Sequence, residues 1–185
     1  FSPELADEFF GGIGIGALQD VRLDPHTNAS AVNEIQRYLK EKTRLGIPAL
    51  IVGETLHGHL SEESTVFPQS IGLASTWEPD LARRMASVIA KEARAVGVVQ
   101  ALAPVFDLAR DPRWGRVEET YGEDPYLVTQ FGVAYIKGLQ GEKLPIGKDH
   151  MVATPKHFAA HGSPEGGLNL SPVPVGPRQL RELYL

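Results

Sequence analysis

Polar residues gather in three runs, each directly after a short apolar stretch. GETLHGH (53–59) follows ALIV, PVFDLARDPRWGRVEETYGEDP (104–125) follows VVQALA, and KHFAAHGSPEGGLN (156–169) follows MVAT. Glu54 stands at the end of a stiff apolar segment, where a carboxylate can accept paired hydrogen bonds from vicinal hydroxyls. Lys156 and His157 stand at the end of another and offer two donors to neighbouring hydroxyls. RDPRWGR (110–116) sets three arginines around Trp114. An arginine fork can bridge carboxylates or hold vicinal hydroxyls. Most of these charges are expected to fix the long loop with Asp107, Asp111, Glu118 and Glu119, leaving one arginine to face a ligand. Trp114 can either stack on a ligand face or pack within the loop.

Other chemistries find less support. His57 and His59 form an H-x-H pair, but no third ligand lies nearby. They are read as structural loop histidines, and no metal site is expected. GGIGIG (11–16) lacks the G-x-G-x-x-G register, and no acidic residue ends a strand about 20 residues on, so no dinucleotide cofactor is expected. No G-x-S-x-G elbow is present. The absence of cysteine removes disulfides and thiolate metal sites. Net charge is -5 with no block of like charges, which argues against nucleic acid as partner. No apolar run approaches the ~18 residues of a membrane span. Asn28-Ala29-Ser30 forms a glycosylation triplet, to be used only in a secreted eukaryotic parent. Secreted and cytoplasmic locations are both compatible with the sequence, and oligomeric state is left open.

These residues need a frame that brings the three runs together. Residues 49–53, 98–103 and 151–154 read as short buried strands, and 12–16 as either a strand or a glycine-rich turn. Helices are expected over 30–44 behind Ser30 as N-cap, over 79–96, over 125–139 behind Asp124-Pro125, and over 177–185. The order is four strand-then-helix units, which argues for a parallel sheet. A doubly wound sheet and a (β/α)₈ barrel share that pattern. In both, the strand C-termini form the ligand side, so the three polar runs converge on one rim. A full barrel takes about 250 residues. The 185 residues therefore amount to about half of one, with two open sheet edges and little expected stability alone.

At this point the motifs resemble a known family. APVFDLARDPRWGRVEETYGEDPYLV (103–128), FPQSIGLASTWEPDL (67–81), GETLHG (53–58) and KHFAAHGSPEGGLN with GPRQLRELYL (156–185) look like glycoside hydrolase family three, in the right order. The resemblance implies an α/β fold, the first four βα units of a (β/α)₈ TIM-type barrel, with residues 1–185 as a partial N-terminal domain. It implies an exo-acting retaining β-glycosidase, of β-glucosidase or β-xylosidase type, acting on a small-molecule β-glycoside or oligosaccharide without cofactor. Glu54, Arg116, Lys156 and His157 are then expected to bind the terminal sugar. The family's nucleophile is an aspartate in an S-D context, absent here, and its acid/base in this branch comes from a second domain. No catalytic residue is therefore assigned within the chain, and a non-catalytic sugar-binding fragment is the alternative reading. Leu168 stands where many relatives carry arginine. SPEGGLN replaces the loop that carries a catalytic histidine in the amino-sugar branch.

Overall fold

The computed structural model describes residues 1–185 as four parallel strands with helices on one face. The strands are β1 (Ala17–Gln19), β2 (Leu50–Gly53), β3 (Gln100–Ala101) and β4 (Val152–Ala153). Their spatial order is β1-β2-β3-β4, with Val52 opposite Gln100 and Gln100 opposite Val152. A doubly wound sheet must reverse its strand order at some point. This sheet does not, and it follows the sequential winding of a barrel. Beyond β3 and β4 the chains stay paired through Val105 and Lys156.

The helices are α1 (Pro3–Phe10), α2 (Pro25–Lys42), the short α3 (Ser70–Ala74), α4 (Pro79–Ala95) and α5 (Pro125–Gln140). On α4, Ala82, Met85, Ala86, Ile89, Ala90 and Ala93 form one buried stripe at helical spacing. That stripe lets α5 approach closely. A Cβ on Gly138 of α5 would lie 2.3 Å from the Arg83 carbonyl and 2.6 Å from the Ala86 Cβ. Phe131, Tyr135 and Leu139 of α5 join the same core as Ile51 of β2 and Met151 before β4. The alternate strand residues Leu50 and Val152 are 51% and 43% exposed, on the face the helices leave uncovered.

Several expectations are corrected. Helix α2 starts at Pro25, five residues before Ser30, because Asp24 Oδ1 accepts the Thr27 N–H at 3.0 Å. Ser30 lies inside the helix. Asn28 is fully buried on it, with Nδ2 directed at the Val96 carbonyl, so the folded chain offers no glycosylation acceptor there. The 12–16 run resolves as a turn with Gly12 and Gly14 in the left-handed region, and the strand begins at Ala17. Helix α1, capped by Ser2, was not anticipated. The 177–185 segment divides into one α-turn, Pro177–Gln179, and a π-helical stretch, Leu180–Tyr184. Helices α4 and α5 fall where the periodicity put them, and Asp124 caps α5 through the Leu127 N–H at 2.7 Å.

Candidate sugar-binding site

The C-terminal ends of β2, β3 and β4 bring the three polar runs side by side. Glu54 follows the last residue of β2. Lys156, three residues past β4, reaches across to it, with Nζ 3.1 Å from Oε1 and 3.0 Å from Oε2. The ammonium is the more enclosed partner, with 15% of its side chain exposed against 30% for the carboxylate. Both present a polar edge to the rim, an acceptor beside a donor.

Asp107 organises the other side. Its side chain is fully buried and accepts three hydrogen bonds, from His157 Nδ1 at 2.7 Å, the His157 backbone N–H at 3.2 Å and the Gly162 N–H at 3.1 Å. A carboxylate on Nδ1 leaves His157 Nε2 as the nitrogen turned outward. Gly162 reaches Asp107 only because it has no side chain. A Cβ there would sit 2.8 Å from the Leu108 carbonyl and 2.9 Å from the Asp107 Cβ.

Arg116 is held as a fork against Glu119, with Nε to Oε1 and Nη2 to Oε2 both at 2.7 Å. Burial acts to raise the Glu119 carboxyl, but the Arg116 hydrogen bonds together with the positive charges of Arg116, Lys156 and His157 outweigh it, so the carboxyl is lowered overall. The same pairing raises Arg116. The third guanidinium nitrogen, Nη1, lies 3.2 Å from His161 Nε2. The His161 ring stands 4.4 Å from that of His157 and edge-on to Trp114. Glu54 with Lys156, His157 with Asp107, and Arg116 with Glu119 and His161 are thus three neighbouring donor–acceptor sets on one rim.

The remaining expectations divide. Trp114 is 2% exposed and donates from Nε1 to Asn169 Oδ1 at 3.0 Å, so it packs and offers no face to a ligand. Arg113 pairs with Asp111 and holds its carboxyl down to about 2, a loop-fixing role. Leu168 is exposed beside the turn Glu165–Gly167. His57 Nδ1 lies 3.1 Å from the Phe67 carbonyl, within its own loop. His59 is buried against Asp20 at the end of β1, Nε2 3.6 Å from Oδ2, and the polar atoms of both side chains lack hydrogen-bond partners. Burial raises the Asp20 carboxyl and lowers the His59 imidazole. No cluster of three metal-ligating side chains forms. Asp107 as the anchor of His157, and His161 as a neighbour of Arg116, were not singled out from sequence. Each lies 45–50 residues from its partner, and no local pattern encodes such a pairing. A cavity of about 270 Å³, lined in part by Phe106, Asp107, Lys156, His157 and Tyr184, adjoins the network.

Residues 2–185 match the family model described as the glycosyl hydrolase family 3 N terminal domain. A β-xylosidase of Formosa agariphila is 48% identical over 149 residues, covering 77% of this chain and 21% of that protein. A periplasmic β-glucosidase of Salmonella typhimurium is 37% identical over 154 residues, 83% of this chain and 20% of that protein. Among solved structures, a β-glucosidase from Erythrobacter marinus superposes with a TM-score of 0.94 at 36% identity, over 98% of this chain and 25% of the other. A Listeria innocua β-glucosidase in complex with glucose gives 0.84 at 36% identity, over 100% and 26%. The chain therefore spans about a fifth to a quarter of the length of the relatives it matches.

Proposed function

Because the chain belongs to the glycosyl hydrolase family 3 N-terminal domain family, we propose that its protein is an exo-acting retaining β-glycosidase, and that these residues grip the terminal, non-reducing sugar. The substrate class is a β-glucoside or β-xyloside, as the names of the relatives suggest. The observation that carries this reading is the convergence of Glu54, Lys156, His157 and Arg116 on one rim, each already oriented by a partner. Such pre-oriented groups bind hydroxyls with little reorganisation, and hydrogen bonds near the reacting carbon strengthen as charge develops there.

In this reading Glu54 accepts from one pair of hydroxyls while Lys156 donates to the next. Nε2 of His157 and the outer edge of Arg116 take further oxygens. Retaining hydrolysis needs two carboxyl groups roughly 5–5.5 Å apart, one a nucleophile and one a proton donor. The three carboxylates of the rim sets are committed otherwise, Glu54 to Lys156, Asp107 to His157 and Glu119 to Arg116. The bond-breaking step is accordingly assigned to no residue of this chain.

The test uses the protein expressed from its full gene. Aryl β-glucoside and aryl β-xyloside should be hydrolysed with retention, and Arg116→Ala and Lys156→Ala should each lower kcat/KM. Release of an α-anomer first, or activity on neither substrate, would sink the proposal.

A further inference from the structure

His161 has no role in the grip described above, yet it sits against its most polar member. Its Nε2 lies 3.2 Å from Arg116 Nη1. A guanidinium carries donors only and does not deprotonate in a protein. The imidazole nitrogen facing it must therefore be the acceptor, which fixes His161 as the neutral ring with its proton on Nδ1. The other side of Arg116 is saturated by Glu119. With both sides held, the guanidinium plane has one orientation.

We infer that His161 is a positioning residue for Arg116, and that a second proton on its ring breaks the hold and loosens the sugar grip. The inference rests on the reading of Arg116 as a sugar-binding residue. A second proton on the ring would place two donors and two positive charges 3.2 Å apart. The groups around the ring decide how readily that happens. From the loop after β3 come Arg116, Glu119 and the edge of Trp114, with Asp107 closer to the strand. From the β4 side comes His157, ring to ring at 4.4 Å. The two carboxylates that could balance the charge are already engaged, Glu119 by Arg116 and Asp107 by His157 and Gly162. Burial first, then His157, lowers the His161 imidazole from its ordinary 6.5, while Asp107 and Glu119 pull the other way. The neutral, accepting ring is thus the form present at neutral pH, and acid removes it.

The experiment follows glucose affinity by calorimetry, and the imidazole carbons of selectively labelled histidine by NMR, between about pH 5 and 8 in the full-length protein. Affinity should fall on the acid side by up to about tenfold per pH unit below the His161 midpoint. His161→Ala should weaken binding at neutral pH, and its difference from the unaltered protein should close on the acid side. His161→Asn, which keeps an acceptor before Arg116 but cannot titrate, should restore most of the affinity and flatten the acid limb. Arg116→Ala should raise the His161 midpoint by removing a neighbouring cation. An acid limb that persists unchanged in His161→Asn, or a His161 midpoint indifferent to Arg116→Ala, overturns the inference. Failure of glucose and xylose to bind the unaltered protein at any pH counts instead against the sugar-grip reading. The His161–Arg116 coupling is then judged on the NMR midpoints alone.

Discussion

Asp107 binds His157 twice through the same oxygen, Oδ2, once at the imidazole Nδ1 and once at the backbone N–H. One contact sets the ring's tautomer and the other sets where the chain leaves β4. A fully buried carboxylate is tolerable here because its other oxygen also has a donor, the Gly162 N–H. Ring orientation at the rim is therefore decided one residue layer below it.

Asp107→Asn tests that layer. The amide has a single acceptor oxygen and cannot serve all three donors. Loss of hydrogen bonds to a charged group costs about 1.5–3 kcal/mol, so kcat/KM on an aryl β-glycoside should fall roughly 10- to 150-fold. Thermal melting run in parallel separates misfolding from a misaligned ring. Wild-type kcat/KM in a folded variant would remove Asp107 from this role.

Arg116→Lys should not rescue Arg116→Ala. The guanidinium satisfies Glu119 with two parallel bonds while turning a third nitrogen to His161, and an ammonium cannot reproduce that fork. Glucose affinity of the lysine variant should stay at least about tenfold below wild type. Calorimetry on both variants reads the difference, and near-native affinity in the lysine variant would contradict it.

Gly138→Ala should destabilise the fold without touching the rim. The new methyl would meet the Arg83 carbonyl at 2.3 Å, so α4 and α5 must separate. Overpacking of this kind costs about 1–3 kcal/mol. Urea unfolding gives the value, and an unchanged midpoint would show that the helices yield freely.

Acid should weaken the fold through His59. Its folded imidazole titrates below the ordinary 6.5, chiefly because of burial. The stability it contributes is present above 6.5 and lost as pH falls through the folded value. His161, lowered too, adds in the same sense. Asp20 has the opposite sign. Its carboxyl is raised from 3.8 by burial, so its contribution is full below 3.8 and lost as pH rises through the folded value. From 6.5 downward, stability should therefore drop until Asp20 takes up its proton. In His59→Asn the urea midpoint should depend less steeply on pH over that window, and an unaltered slope would assign the acid loss elsewhere.

Much of the scaffold was legible where burial and period coincide. The alanine and methionine stripe marks α4, and Asp124-Pro125 opens α5. The same aspartate–proline pair at 24 and 25 opens α2, five residues ahead of the Ser30 start that the apolar spacing of Val32, Ile35 and Leu39 suggests. Strand β1 is three residues long and takes its place from pairing with β2, which no local signal records. At the rim, residue type and strand-end position nominate Glu54, Lys156, His157 and Arg116. The pairings of Asp107 with His157 and of His161 with Arg116 depend on how the β3 and β4 loops fold over each other. Only Arg116 with Glu119 lies within one helical turn in sequence, three residues apart.

The Asp107 clamp also bears on recombination between relatives. Val105 pairs with Lys156, Asp107 with His157 and Gly162, Arg116 with His161, and Trp114 with Asn169. A chimera joined between α5 and β4 would draw the two halves of every one of these pairs from different parents. Crossovers placed before Val105 and after Asn169 transfer the segment as one cassette, with its ring orientations intact.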